Sequence, residues 1–108
     1  MPYFMVQVAV TPEFWANMVK NPQNRAAGAQ ALCERLGGRF HSWFWSFGDY
    51  DTVMIAEWPD AITAAAVAAA AAAGGGVKAM KTTQLLTAEE GIEFLKKASE
   101  VGYRPPSA

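Results

Sequence analysis

The side chains best suited to chemistry lie around one short segment of the chain. His41 is the single histidine of the sequence, and histidine is the side chain that most readily exchanges protons near neutral pH. Further along, Tyr50 stands between Asp49 and Asp51, so a phenol and two carboxylates follow one turn. These residue types serve general acid–base catalysis or orient a bound ligand. His41 is therefore the candidate general base.

Each of these residues also has a structural interpretation. His41 could be a hydrogen-bonded residue at the edge of a subunit interface, because no second catalytic group is fixed by its spacing. Aspartates at turns commonly accept hydrogen bonds from exposed backbone amides, and we favour this interpretation for Asp49. For Asp51 and Tyr50 the choice between a functional and a structural interpretation stays open. One histidine with one cysteine, Cys33, supplies too few ligands for a zinc site, so we expect neither a metal nor a cofactor.

The segment from His41 to Glu57 predicts a β-hairpin, because aromatic and β-branched residues flank a Gly-Asp turn. Alternation along paired strands sorts these side chains onto two faces. One face combines aliphatic residues with small serines, which suits helices that pack closely on it. The other face is predicted to be open and consists of His41, Trp43, Trp45, Phe47, Tyr50, Thr52, Met54 and Ala56.

A strand from Tyr3 to Val10 is predicted beside this hairpin. Its valines are assigned to the helix-covered core, so Met5 and Gln7 share the open face with the aromatic residues. Such a face must be covered by a subunit, a ligand or both. We expect a ligand pocket there, with walls and orienting groups supplied by Met5, Gln7, His41, Trp43, Trp45, Phe47, Tyr50 and Met54.

Two helix segments are predicted between the strand and the hairpin. Thr11-Pro12-Glu13 is a typical helix start, and Asn21-Pro22 should interrupt the helix before it resumes near Arg25. An arginine in the first turn of a helix opposes the macrodipole, which favours an acidic partner. Asp51 falls on the predicted helix-covered face and also needs a partner. An Arg25–Asp51 ion pair is one prediction, and a solvated Arg25 is the equal alternative.

The order of elements predicts the fold. After the hairpin follow an alanine-rich helix over 62–73, a polar edge strand over 77–86 and a helix that begins at the capping box of Thr87 and Glu90. Strand, helix, strand, strand, helix, strand, helix is the order of an α+β ferredoxin-like βαββαβ sandwich with an added C-terminal helix. Its antiparallel four-stranded sheet has the first and third strands in the centre. Residues 1–101 form the domain, and 102–108 form an extended tail.

Composition excludes several classes of function. A formal net charge of −1 with scattered charges argues against a nucleic-acid footprint. The N-terminus lacks the pattern of a signal peptide, and the longest apolar run is too short to span a membrane. A lone cysteine fits a reducing compartment. We expect a cytoplasmic protein without a nucleic-acid or membrane partner.

The sequence resembles the GYD-domain family of small bacterial proteins, and the resemblance covers nearly the whole chain. The turn that gives the family its name stands here as Phe47-Gly48-Asp49-Tyr50-Asp51, and further matching segments are Thr11-Pro12-Glu13, Lys20-Asn21-Pro22-Gln23 with Arg25, Leu36-Gly37-Gly38 and Leu86-Thr87-Ala88-Glu89-Glu90-Gly91. The resemblance implies a dimeric α/β-barrel, in which two sheets face each other and a pocket remains in each half. It implies no particular activity.

Three functions are therefore considered. The preferred one is a homodimer or higher homo-oligomer that binds a small apolar or aromatic molecule on the open face. The second is a cofactor-independent oxygenase or isomerase with His41 as general base. The third is an assembly protein whose aromatic interface is filled by the partner subunit.

Overall fold

Residues 1–107 are described by a computed structural model, and they form four strands and four helices. Their order matches the predicted βαββαβ pattern, with the first helix divided in two and a helix added at the end. The elements are β1 (Tyr3–Val10), α1 (Pro12–Lys20), α2 (Arg25–Arg35), β2 (Arg39–Trp45), β3 (Thr52–Glu57), α3 (Ala61–Ala73), β4 (Val77–Leu85) and α4 (Ala88–Val101).

The strands form one antiparallel sheet in the order β2-β3-β1-β4. The first and third strands are central and β4 lies at an edge, as the ferredoxin-like prediction requires. The fold class is thereby confirmed as α+β with an open four-stranded sheet. Polar residues alternate along β4, which suits an edge strand because charged side chains discourage further strand addition.

The helix starts follow from local hydrogen bonds. Thr11 Oγ1 accepts a hydrogen bond from the backbone N–H of Phe14 at 3.2 Å, and Pro12 occupies the first turn of α1. Thr87 and Glu90 form the predicted capping box of α4, with hydrogen bonds of 2.8 and 3.1 Å. The chain is not helical between Lys20 and Arg25, so the predicted break at Pro22 is confirmed.

The predicted assignment of the hairpin faces is wrong. In the β1–β3 ladder, Val6 lies opposite Met54, and residues that face each other in an antiparallel pair project to the same side. The valine side of β1 is covered by helices, as predicted. Met54, Thr52 and Ala56 are therefore on the helix-covered side as well, where they are buried. The open face instead carries Met5, Gln7 and their β3 neighbours.

A β-bulge in β2 separates His41 from the tryptophans. Phe40 pairs with Ala56 and Ser42 pairs with Ile55, so His41 is the extra residue of the strand. The simple alternation that grouped His41 with Trp43 fails at this point. His41 lies on the open side, whereas Phe40 and Trp43 pack against the core.

The core lies between the sheet and helices α2 and α3. Cys33 and Trp58 are fully buried, and Phe4 contacts Trp58 with ring centroids 5.8 Å apart. Gly38 permits this packing, because a Cβ atom there would overlap the Glu57 carbonyl oxygen and lie 2.7 Å from Trp58 Cδ1. The core residues are Phe4, Val6, Cys33, Met54, Ala56, Trp58, Ala64 and Val67.

Helix α4 stands apart from this core. None of its residues is buried, although Ile92, Phe94 and Leu95 give it an apolar side. The radius of gyration is 17.5 Å and the longest dimension 58 Å, whereas a compact chain of about 100 residues has a radius near 13 Å. The chain therefore leaves a large apolar helix surface without a partner in its own fold.

Two glycine substitutions should have opposite effects on stability. We expect Gly28→Ala to raise the free energy of unfolding by up to about 1 kcal/mol, because alanine favours helix and its Cβ would meet no atom within 4 Å. Gly38→Ala should lower it by roughly 1–3 kcal/mol through overlap with Glu57 and Trp58. Denaturant unfolding of both variants measures this difference. Equal effects of the two substitutions would contradict the packing described for Gly38.

Candidate functional site

A cavity of about 400 Å³ lies between the sheet and the helices. Its floor is the covered side of the sheet, and its walls come from α1, α2, α3 and the segment before β4. Its lining is mostly aliphatic or aromatic and consists of Val6, Val8, Val10, Phe14, Arg25, Gly28, Ala29, Leu32, Trp43, Thr52, Met54, Val67, Ala70, Ala71, Gly74, Gly76, Val77 and Met80.

The cavity exists because the two covering helices carry thin side chains at this end. Ala64 and Val67 of α3 are buried against the sheet, but Ala70 and Ala71 further along fill little space. On α2, a Cβ atom added at Gly28 would meet open space. Gly28, Ala70 and nearby Arg25 are exposed as well as lining, so they mark the mouth of the cavity.

Arg25 supplies the charge at this mouth. Its guanidinium carbon lies 5.8 Å from the centroid of the Phe14 ring, within the range of a cation–π contact. Phe14 itself is held against Gly76, where an added Cβ would lie 2.9 Å from the ring. Among residues 1–107, the one salt bridge joins His41 to Glu57, so Arg25 is not paired with a carboxylate there.

The predicted Arg25–Asp51 ion pair is therefore not formed. Asp51 instead fastens the hairpin to β1. Its carboxylate accepts a hydrogen bond of 2.8 Å from the backbone N–H of Val10, and its own N–H donates to the Val8 carbonyl at 2.8 Å. Asp51 thus has a structural partner, as expected, but that partner is the backbone at the irregularity between Ala9 and Val10.

The sheet divides the predicted ligand-binding residues. Trp43 and Met54 line the helix-side cavity. Trp45 packs beside Trp43 on the same side of the sheet. Its ring meets that of Trp43 edge to face with centroids 4.8 Å apart, and it stacks on the ring of Trp15 of α1 with centroids 5.3 Å apart. Trp15 was not anticipated as a partner. These residues do not contribute to a pocket on the open face.

Other predicted residues do meet on the open side. Gln7, Phe47 and Tyr50 border a shallow depression of about 350 Å³ next to the hairpin turn, together with Lys81. Phe47 is 99% exposed, so its ring has no packing partner within the chain. Met5 lies further along this face, opposite Ile55 of β3. The open face therefore keeps part of the predicted set but lacks an enclosed cavity.

His41 forms a separate pair with Glu57. His41 Nε2 donates a hydrogen bond to Glu57 Oε2 across 2.7 Å, and the Tyr3 ring lies 5.0 Å from the imidazole. The Glu57 side chain is 11% exposed and that of His41 is 37% exposed. The hydrogen bond from His41 lowers the pKa of Glu57 despite the opposing effect of desolvation, and the charges of His41 and Arg39 act in the same direction.

Residues 1–107 offer no metal site and no reactive thiol. Within that range, no three histidine, cysteine, aspartate or glutamate residues are grouped so that they could hold a metal ion. Burial raises the pKa of the Cys33 thiol, which keeps it protonated and unreactive. No helix in the same range has the length and apolar character needed to cross a membrane.

The family model of the GYD domain matches residues 4–95, which include the helices that enclose the cavity and all of the sheet except Tyr3. The chain belongs to the GYD-domain family. The helix-side cavity, the hydrogen bonds between Asp51 and β1 and the His41–Glu57 pair are thus features of a GYD domain. In this domain the Gly-Asp-Tyr turn supports the sheet through the neighbouring Asp51 and borders the open-face depression through Tyr50.

Comparison with solved structures finds a protein of unknown function from Nitrosomonas europaea. It is 19% identical in sequence, and the match covers 81% of this GYD-domain chain and 90% of that protein, with a TM-score of 0.45. A search of curated proteins gives no significant match.

Sequence reasoning did not anticipate the positions that Glu57 and Arg25 take in these sites. Glu57 was placed on the face opposite His41, because the bulge at His41 leaves no signal in the hydrophobic alternation. Arg25 was singled out for its position in the helix, but its contact with Phe14 and its place at the cavity mouth depend on how α1 and α2 pack.

The His41–Glu57 pair predicts a pH-dependent contribution to stability. Because the folded-state pKa of Glu57 is lowered, the pair stabilises the fold above the ordinary glutamate pKa, and this contribution is lost as pH falls through the folded-state value. In His41→Ala, NMR titration should show the Glu57 pKa rising toward its ordinary value. The stability difference from the wild type should shrink in acid.

Asp60 is the internal control, because its lowered pKa arises from hydrogen bonds with Thr63. A Glu57 pKa that does not move in the variant contradicts the assignment.

Proposed function

We propose that this GYD-domain protein binds a small, mainly apolar molecule in the helix-side cavity and acts as a homo-oligomer. The observation that carries the binding proposal is the cavity of about 400 Å³ with its largely apolar lining. Ligand pockets typically measure about 300–1,000 Å³ and combine apolar walls with a few polar groups. This location replaces the open-face pocket that the sequence predicts.

The cavity walls suit a ligand of variable shape. Trp43 offers a broad aromatic surface, while Met54 and Met80 are flexible and polarisable. Core packing elsewhere in the chain is tight, since a Cβ atom added at Gly38 would overlap neighbouring atoms. A volume of this size left unfilled forfeits dispersion contacts along its whole surface, so a bound apolar molecule would stabilise the fold.

Partial filling of the cavity should weaken ligand binding. We expect Ala71→Phe to weaken the binding of phenylnaphthylamine, a neutral apolar dye, by at least about tenfold, since the new ring would occupy the ligand volume. Dye fluorescence and energy transfer from tryptophan measure the affinity. Ala72→Phe is the matched control, because Ala72 is an exposed neighbour on α3 outside the cavity lining. Equal dye binding by both variants and the wild type contradicts the proposed site.

Self-association is proposed from the apolar surfaces that the fold leaves exposed. Phe44 on the open face is 61% exposed and Leu95 on α4 is 62% exposed. A 14-residue helix such as α4 is marginal in water without tertiary contacts. Packing of α4 and the open face against a second subunit would cover both surfaces, and continuous exposed apolar patches commonly mark such interfaces.

A charge placed within this surface should dissociate the oligomer. We expect Leu95→Glu to shift the protein toward monomer, because a carboxylate would be desolvated in the interface. Light scattering coupled to size-exclusion chromatography measures the mass. Lys97→Glu introduces the same group on the polar side of α4 and should leave the mass unchanged. A wild-type protein that is monomeric at high micromolar concentration contradicts the self-association proposal.

The enzymatic alternative has less support. His41 and the helix-side cavity lie on opposite sides of the sheet, so His41 cannot act as the general base on a molecule bound in that cavity. A cofactor-independent oxygenase or isomerase would need its substrate on the open face instead. An assembly interface filled by aromatic side chains would have to use residues other than Trp43 and Trp45, because these two side chains lie on the helix-covered side.

A further inference from the structure

We infer that the cavity takes an apolar molecule carrying one carboxylate group, and that Arg25 binds the carboxylate at the mouth. This inference rests on the proposed function, because it specifies the ligand of the same cavity. It assigns to Arg25 a binding role in place of the ion pair with Asp51, which is one of the two alternatives that the sequence leaves open.

The first support is the distribution of polar groups in the cavity. Within residues 1–107, Arg25 carries the one charged side chain of the lining. The remaining polar side-chain atoms of the lining belong to Thr52 and to the Trp43 indole. A hydroxyl and an indole N–H cannot offset the cost of burying a full charge. An ionised group on the ligand must therefore stay at the mouth, where Arg25 lies.

The second support is the state of Arg25 itself. No carboxylate within residues 1–107 forms a salt bridge with it, and the Asp51 carboxylate is engaged by the Val10 amide. The guanidinium carbon lies 5.8 Å from the Phe14 ring centroid, within the range of a cation–π contact. Guanidinium groups bind carboxylates through two parallel hydrogen bonds. Arg25 is thus oriented by an aromatic ring and has donors available for a ligand.

The third support is the arrangement of solvent-exposed and buried residues along the cavity. Arg25 is exposed and Phe14 is half-buried, whereas Val6, Val67 and Met54 deeper in the cavity are buried. The apolar part of a ligand can enter the buried part of the cavity while its carboxylate stays partly hydrated at Arg25. A neutral molecule would gain only the apolar contacts, and a cationic one would be repelled by Arg25.

The test compares three probes that have straight apolar chains of nearly equal length and differ in the charge of the head group: decanoate, decanol and decyltrimethylammonium. Each displaces phenylnaphthylamine from the wild type, Arg25→Gln, Arg25→Lys and Arg35→Gln proteins. Arg35 is the matched control, since it is an exposed arginine on the same helix outside the cavity lining. Circular dichroism of each variant establishes that the fold is retained.

We expect decanoate to bind more tightly than decanol, and decyltrimethylammonium to bind most weakly. Arg25→Gln should weaken decanoate binding by about three- to tenfold, because an exposed charge pair contributes modestly. The same substitution should change decanol binding by less than about twofold. Arg25→Lys should retain part of the preference, and added salt should weaken only decanoate. Arg35→Gln should behave as the wild type.

Three results would overturn the inference while leaving the proposed function in place. They are equal affinity of the wild type for decanoate and decanol, an equal loss of both in Arg25→Gln, and an equal loss of decanoate binding in Arg35→Gln. Failure of the proposed function gives a different result. In that case the wild type does not bind the dye, decanol or decanoate, or Ala71→Phe leaves all three affinities unchanged.

Discussion

The pairing register between β1 and β3 determines the chemical character of both sides of this molecule. Val6 lies opposite Met54 and Val8 opposite Thr52, so the apolar residues of the two central strands project to one side. Helices α2 and α3 cover that side and complete the core around Cys33 and Trp58. Because side chains alternate along a strand, a shift of one residue in this register would exchange the buried and open faces.

The composition of the covering helices then decides that the core is incompletely filled. Alanines of α3 and Gly28 of α2 fill little space at one end of the core, and a volume of about 400 Å³ is left there. Trp43, whose ring contacts that of Trp45, borders this space on the side of β2. The cavity is thus a consequence of small side chains opposite large ones.

The open side of the sheet has a different organisation. A bulge in β2 projects His41 toward Glu57 and Tyr3, while the Gly-Asp-Tyr turn is joined to β1 through Asp51. Phe44, Phe47 and the apolar side of α4 stay exposed in the single chain. A two-sided sheet of this kind would carry the proposed ligand cavity on one side and the proposed subunit interface on the other.

The sequence alone determined the order of elements, the helix caps at Thr11 and Thr87 and the break at Pro22, because each depends on neighbours within a few residues. The antiparallel α+β fold followed from that order, because few topologies accommodate it. It also grouped Trp43, Trp45, Thr52 and Met54 correctly on one face, since alternation is a local property. Only the tertiary structure decided that this face is the covered one, because the β1–β3 register depends on residues far apart in the chain. The bulge at His41, the Glu57 partner and the place of Arg25 over Phe14 likewise arise from packing between elements, which hydrophobic periodicity does not encode.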